Sequence, residues 1–577
     1  MKFVNRIYIV FIFFFCLIAN NGAKASIIKS VGLSLPGTLK TYFTSSEKSS
    51  VTNLIISGNM NTVDFDFIRS SLSKLVVLDL RNAMPEHAEI PEEAFYTGLG
   101  TNLLDSVYLP STLTKIGDRA FSECEKLSMV VIPTTLTDIG EEAFEDCSKL
   151  DSVCIPSTLI YLGESAFSGC TSLRAITFTQ GLSIIGMYAF ESCESLQSIQ
   201  IPASVKYIGQ YAFSSCSELS SVQLTEGLDS IGLGAFAFCT KLDTISIPAS
   251  VKSIGLLAFA FSTCSISVAS ENNYLKVEDG ILYNHDMTVL LECPTFRTGT
   301  VIVPETVDTV EMGAFGYCAL LTEIQLPSRL RAIKGYGFCY CIGLQSMILP
   351  DSLSYIGSGA FAGFPALHSV SPGNPYFVVV DSVLFNKSMT RLIHYPIFKS
   401  GPYVVPESVE VLTASAFESC SGLTSLTLSY HLKTIERDAL YGCDALTSIY
   451  LTNSNPIVLD QFFIYDLSSE IMFYVPRGSL NEYLNADVWS GFFGQLKEWD
   501  VLTSLPNMNN QDVRIRVING ELIIDGVKEG SSVSVYSIKG LPIRKLTTTD
   551  SEEIRLPLPS KGLWLVKVGN KTYKVIN

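Results

Sequence analysis

The chain has 577 residues, 47% of them hydrophobic and 17% charged, with a formal net charge of −16 at pH 7. That balance belongs to a folded protein and excludes the disordered class. It also excludes a nucleic-acid partner, because neutralising phosphates takes clustered Lys and Arg, and none cluster here.

From the N-terminus, Lys2 and Arg6 precede an apolar run over residues 7–19, and Ala23 and Ala25 supply small residues for cleavage. This predicts a signal peptide over residues 1–25 and an exported protein. The run is short for a bilayer span and no later stretch is long and apolar enough, so no transmembrane segment is expected after cleavage. Residues 26–103 hold irregular leucine-rich segments, 52–57 (TNLIIS) and 75–80 (LVVLDL), with a polar, turn-forming run at 57–61 (SGNMN). They read as an N-terminal cap, since the end of a repeat stack must hide its apolar side.

From residue 104 to 452 one motif recurs every 23 residues, with Phe121, Phe144, Phe167, Phe190, Phe213, Phe236 and Phe259 one period apart. Two 33-residue insertions interrupt the count, and Phe315, Phe338, Phe361, Phe417 and Leu440 resume it in phase. A fixed period of this length is the mark of a solenoid, whose coils are stabilised by stacking on their neighbours. Within a unit, a segment such as 127–133 (LSMVVIP) has apolar residues at positions one, four and six, which predicts a strand with positions three and five facing out. The Pro ends the strand. The following I-G-x-x-A-F-x-x-C places Ile, Phe and Cys at roughly helical intervals and predicts a short helical turn on the convex side. Its Gly is not a left-handed position, because Pro91, Glu311, Lys334, Thr413 and Glu436 fill it in other units and Pro forbids positive φ. The expected fold is a β-rich α/β solenoid, one concave strand and one helical turn per unit.

The insertions, near 267–297 and 370–399, are copies at a spacing of 102 residues: Asn273, Tyr274, Asp279, Leu282 and Tyr283 match Asn374, Tyr376, Asp381, Leu384 and Phe385. Alternation and Asn turns predict an added β-hairpin in each. Residues 453–502 read as a C-terminal cap, in which a short helix within 474–493 carries Tyr483, Trp489 and Phe492 over the end of the stack. A polar linker, 503–511, leads to alternating segments over 512–577 with turns at Asn519-Gly520 and Lys539-Gly540, a small β-sandwich-like domain.

Ten cysteines share one repeat position: Cys124, Cys147, Cys170, Cys193, Cys216, Cys239, Cys318, Cys341, Cys420 and Cys443. A disulfide ladder is the tempting reading in an exported protein. Equivalent side chains project in parallel, however, so their Cβ atoms stay too far apart, and buried thiols packing as small apolar groups are expected. No C-x-x-C pair exists and the His are dispersed, so neither a metal nor another cofactor is expected. No paired carboxylates and no Ser, His and acid set can be discerned, which argues against an enzyme. The outward strand positions are small, neutral and polar. Tyr108, Thr177, Gln200, Gln223, Ser246, Gln325, Thr427 and Tyr450 form the expected ligand surface, against the plainer reading of a merely soluble strand face.

The full pattern, L-x-x-I-x-I-P-x-x-L-x-x-I-G-x-x-A-F-x-x-C over about residues 90–452, resembles the BspA-type leucine-rich repeat. Residues 533–540 (VSVYSIKG) and 562–576 (GLWLVKVGNKTYKVI) resemble the type IX secretion sorting domain. These resemblances imply a non-catalytic, adhesin-like protein of the cell surface or extracellular space. Its partners would be the secretion machinery and a protein or glycoprotein ligand on host or neighbouring cells. The rival expectation is a structural envelope spacer without a specific ligand.

Overall fold

The computed structural model describes residues 26–98, 102–365, 369–459 and 470–499, and the strands between Arg514 and Ile576. The expected signal peptide and the 503–511 linker lie outside the described residues. The chain divides into two compact units, one ending at Lys241 and one beginning at Leu242.

In the first unit the 23-residue period becomes a parallel-strand solenoid. Ala175 sits beside Ser152, Ile176 beside Val153 and Ser198 beside Ser221, each pair one period apart. Strands Ser152–Ile155, Ala175–Phe178, Ser198–Gln200 and Ser221–Gln223 form one parallel sheet. Burial alternates along them as the pattern requires, with Val153 and Ile155 inside and Ser152 and Cys154 outside. A second parallel sheet is built from two-residue strands, among them Lys115–Ile116, Asp138–Ile139 and Tyr161–Leu162.

Between the sheets the Phe rings form a column. Phe121 to Phe144 to Phe167 stack at 5.0 and 5.1 Å between centroids, within 3° of parallel, and Phe190, Phe213 and Phe236 continue at 5.3 and 5.4 Å. Coils about 4.8 Å apart place equivalent rings at a comfortable stacking distance. Each buried Phe stabilises the stack by roughly 1.5–3 kcal/mol. The thiols lie beside this column and bond to its backbone: Cys147 Sγ donates to Phe121 O at 3.2 Å and Cys170 Sγ to Phe144 O at 3.3 Å. Burial pushes the Cys124 and Cys239 thiols up to about 12.

Where the repeat predicts a helical turn, the structure has chained tight turns instead. In each regular coil two residues take left-handed φ, Arg119 (54°) and Glu123 (56°) in one, Glu142 (53°) and Asp146 (54°) in the next. Alternate amides thereby turn along the stack: Arg119 N donates to Glu141 O, Phe121 N to Ala143 O and Glu123 N to Glu145 O, all at 2.8 Å. These bonds join neighbouring coils, whereas an α-helix would spend the same amides within its own turn. The motif glycine stays outside the left-handed region, as its replacements imply. A Cβ on Gly163 would lie 2.5 Å from Gly140 O, and one on Gly209 2.5 Å from Gly186 O, so the residue is there for close approach of backbones.

Before the regular coils, strands Ile28–Leu33, Asn53–Met60 and Val77–Pro85 pair in parallel. Residues 57–60, read from sequence as a turn, belong to the middle strand, which absorbs them through a register shift after Ile55. Helix Thr62–Ser71 follows, opened by a capping box in which Asn61 accepts from Val63 N and Asp64 returns to Asn61 N. Buried Asp64 also accepts from Gly37 N (2.7 Å) and Leu39 N (2.9 Å), tying the helix to the preceding loop.

The second unit repeats the scheme with two interruptions. Each insertion is a meander: Leu275–Glu278, Ile281–Asn284 and Val289–Glu292 pair antiparallel, and the last pairs parallel with Thr309–Val310. Phe377–Val380, Val383–Asn386 and Arg391–His394 do the same before Val411–Leu412. The structure corrects one equivalence: the counterpart of Asn374 is Asn272 and not Asn273. Asn272 Nδ2 donates to Pro248 O (3.0 Å) and Val251 O (2.9 Å), while its Oδ1 accepts from Tyr274 N and Leu275 N (both 2.8 Å). Asn374 makes the same four bonds to Pro350, Leu353, Tyr376 and Phe377.

Toward the end of the coils, helix Leu480–Leu484 and the 3₁₀ turn Trp489–Phe492 bury Tyr483, Trp489 and Phe492. Trp489 Nε1 donates to Ile457 O at 2.8 Å. The strands from Arg514 onward form a three-stranded and a four-stranded antiparallel sheet, whose buried Leu522, Ile524, Val533, Val535 and Val566 make a core of their own.

Candidate binding face

The outward side chains of the longer strands form columns at one-period spacing, because strands in register bring equivalent residues side by side. In the first unit, Thr177 stands beside Cys154, and Gln200 beside Gln223, all four exposed. Tyr108 is half-buried: the Arg81 guanidinium lies 5.0 Å from its ring centre, and Arg81 in turn bonds Asp79, the register neighbour of Tyr108. The same guanidinium holds the Asp79 carboxyl below its usual value.

In the second unit Ser246 pairs with Ser267, and Gln325 with Ile302, and both expected residues are exposed. Thr427 is not: it is 4% exposed. Its register neighbours are Val404 and Tyr450, and these taller side chains shut the short hydroxyl in. Tyr450 is half-buried, stacked on Tyr474 at 4.8 Å and met edge-on by Trp499 at 4.9 Å. Three exposed aliphatic residues share this face, Ile302 (68%), Ile348 (63%) and Val404 (43%). Ile302 and Val404 precede V-P segments at 303–304 and 405–406, a strand-end signal that marks them as outward once the insertions are counted out of the period.

The face therefore offers hydroxyls, amides and aliphatic surface, a composition suited to wide, shallow contact with a macromolecule. Among the described residues no group of three His, Cys, Asp or Glu is arranged to hold a metal ion. No described helix is long and apolar enough to cross a membrane.

A BspA type leucine rich repeat region of six copies matches residues 88–194, 139–267, 183–291, 292–400 and 400–483, more than half of the chain. The chain belongs to the BspA-type leucine-rich repeat family. Among solved structures, this BspA-type chain is similar to a leucine rich cell surface protein from Faecalibacterium prausnitzii A2-165, with 26% identity, 60% of this chain and 84% of that one covered, and a TM-score of 0.38. It is also similar to a leucine-rich repeat protein from Bacteroides ovatus ATCC 8483, with 24% identity, 68% and 88% covered, and a TM-score of 0.28. No curated protein matches it.

Proposed function

We propose that this BspA-type chain is a non-catalytic, adhesin-like binding protein of the cell surface or extracellular space. It recognises a protein or glycoprotein ligand on host or neighbouring cells through the outward strand residues. The observation that carries this reading is the pairing of exposed outward residues within each unit, Gln200 beside Gln223 in the first and Ile302 beside Gln325 in the second, which sets amide and aliphatic side chains next to one another on parallel strands. Structural cohesion alone makes no use of these groups, since the Phe column and the inward Ile and Leu positions already provide it. The resemblance of residues 512–577 to a sorting domain supports delivery to the outside by secretion machinery.

Immobilised matrix glycoproteins and cell-surface glycans, exposed to the full chain, test the reading. Saturable binding that weakens roughly tenfold in a Gln200→Ala, Gln223→Ala or Ile302→Ser, Gln325→Ala variant supports it, since each pair removes contacts worth about 1 kcal/mol or more at a binding surface. Binding unchanged by both variants, or none at all, leaves a spacer and sinks recognition by this face.

A further inference from the structure

A regular coil such as Ala175–Phe178 passes the far edge of its strand to the next coil, here Ser198–Gln200. Strand Ser265–Val268 does not: it pairs with Thr244–Ile247 on one side, and the next strand of that face, Gly299–Ile302, pairs only with Leu321–Gln325. Between the two the chain is occupied with the meander of the first insertion.

The alternation of a parallel ladder identifies the backbone groups this leaves over. Ser265 N and Ala269 N donate to Asp243 O and Ile247 O at 2.8 and 3.0 Å. The N–H and C=O of Ile266 and Val268 therefore point the opposite way, toward the gap. Strand Leu275–Glu278 is likewise the edge of its own sheet. His285 N donates to Tyr274 O at 2.8 Å, so by the antiparallel alternation Lys276 and Glu278 face their partner strand while Leu275 and Val277 face away from it. Leu275 N is taken up by Asn272 Oδ1, and the backbone of Val277 remains. A groove of about 520 Å³ lies here, lined by Ile266, Ser267, Val268, Leu275, Val277 and His285.

We propose that this groove is a docking slot for an extended peptide segment of a partner protein, which adds as a strand to the edge of Ser265–Val268. Backbone N–H and C=O groups at strand spacing are matched by another extended backbone, and strand addition is a recurring mode of peptide capture. The charges at the rim point the same way. Lys276 Nζ is 3.6 Å from Glu278 and His285 Nδ1 is 3.2 Å from Asp286, so each basic side chain has its own carboxylate and a free anion has little to select it. The block duplication carried the device along: strand Ser369–Val370, 102 residues on, pairs only with Ile348–Leu349. The slot uses a sheet edge and stands apart from the strand-face reading above.

A random dodecapeptide display library panned against the full chain supplies the probe, and the enriched peptide is then synthesised. It is expected to slow amide exchange at Ile266 and Val268 and to bind almost independently of salt. N-methylation of alternate peptide amides should weaken it roughly tenfold or more, as the loss of two backbone hydrogen bonds implies. A Val268→Pro variant should weaken it similarly, and the methylated peptide keeps the test independent of how that variant folds. Failure to enrich any peptide, indifference to methylation, or protection confined to neighbours of Gln325 on the outward face would each overturn the slot, and the last would favour the face instead.

Discussion

Strand Val289–Glu292 of the first insertion and strand Arg391–His394 of the second lie 102 residues apart and pair in the same way with the coil that follows, yet one ends on a carboxylate and the other on an imidazole. Both residues stand where the insertion breaks the convex ladder, in which an amide such as Phe121 N would find a carbonyl of the next coil. In the first insertion side chains supply the missing acceptors: Glu292 Oε1 takes Phe259 N and Thr295 Oγ1 takes Phe261 N, both at 3.1 Å. In the second, the His394 ring packs 6.0 Å from Phe361 and 6.1 Å from Phe364. A stack can thus mend the same interruption with hydrogen-bond acceptors or with aromatic filling, and the choice should be measurable.

The largest difference is expected one residue further on. Tyr395 N and Cys293 N make the same bond to the following coil, at 2.8 and 2.7 Å, so both occupy the place of a column Phe. The Tyr395 ring stacks on Phe417 at 4.8 Å and meets Tyr403 at 4.7 Å, whereas Cys293 offers one sulfur. Tyr395→Ala should cost about 3–5 kcal/mol of local stability, against about 1 kcal/mol for Cys293→Ala. Amide exchange in the adjoining strands reads both, and equal costs would remove the column from this account. The two asparagines should behave alike. Asn272→Ala and Asn374→Ala each remove four hydrogen bonds to backbone groups, of which only the proline carbonyl keeps another donor, and should each cost about 3 kcal/mol. Unequal losses in the strands they anchor would break the equivalence of the insertions.

The titrating pair separates them next. Burial pushes the Glu292 carboxyl up from 4.5 to about 7 and the His394 imidazole down from 6.5 to about 3. The raised carboxyl contributes fully below pH 4.5 and loses its contribution as pH rises through about 7. The depressed imidazole contributes above pH 6.5 and loses that contribution as pH falls toward 3. Between pH 4.5 and 6.5, acidification should therefore steady the first insertion and loosen the second. Glu292→Gln should flatten the first profile and raise stability at pH 8 by about 2 kcal/mol. Parallel profiles in pH-resolved amide exchange of the two meanders would contradict this.

The shared architecture of the insertions is legible in sequence because a 102-residue spacing preserves the residues that turn and pair the strands. Glu292 and His394 escape notice, since an acid and a base at one aligned position look like drift until burial is known. The convex turns are hidden for another reason. Nothing about Arg119 or Glu123 marks a left-handed residue; bonds to Glu141 O and Glu123's partner Glu145 O, made by another coil, impose it. Thr427 has the local pattern of Thr177 and differs in its register neighbours, Val404 and Tyr450, one period away on either side. Helix Thr62–Ser71 did carry a signal, the Asn61 to Asp64 capping spacing, which the polar run before it obscures.

The smallest contrast is also the most discriminating. Arg297 Nη1 donates to Asp279 O at 2.9 Å, and Lys399 Nζ donates to Asp381 O at 2.6 Å, so corresponding cations hold the corresponding hairpin turns. Such contacts at the surface contribute less than about 1 kcal/mol each. Lys399 Nζ, however, also lies 5.6 Å from the centre of the Tyr395 ring, a contact that Cys293 cannot offer Arg297. Arg297 in turn pairs with the Asp279 carboxylate, which Lys399 does not do with Asp381, so the ring contribution is read within the second insertion: Lys399→Ala should cost about 0.5 kcal/mol more with Tyr395 in place than in a Tyr395→Leu background. An equal cost in both backgrounds would show that the ring contributes nothing at this corner, and that the two insertions differ there for a reason other than the residue that fills the column.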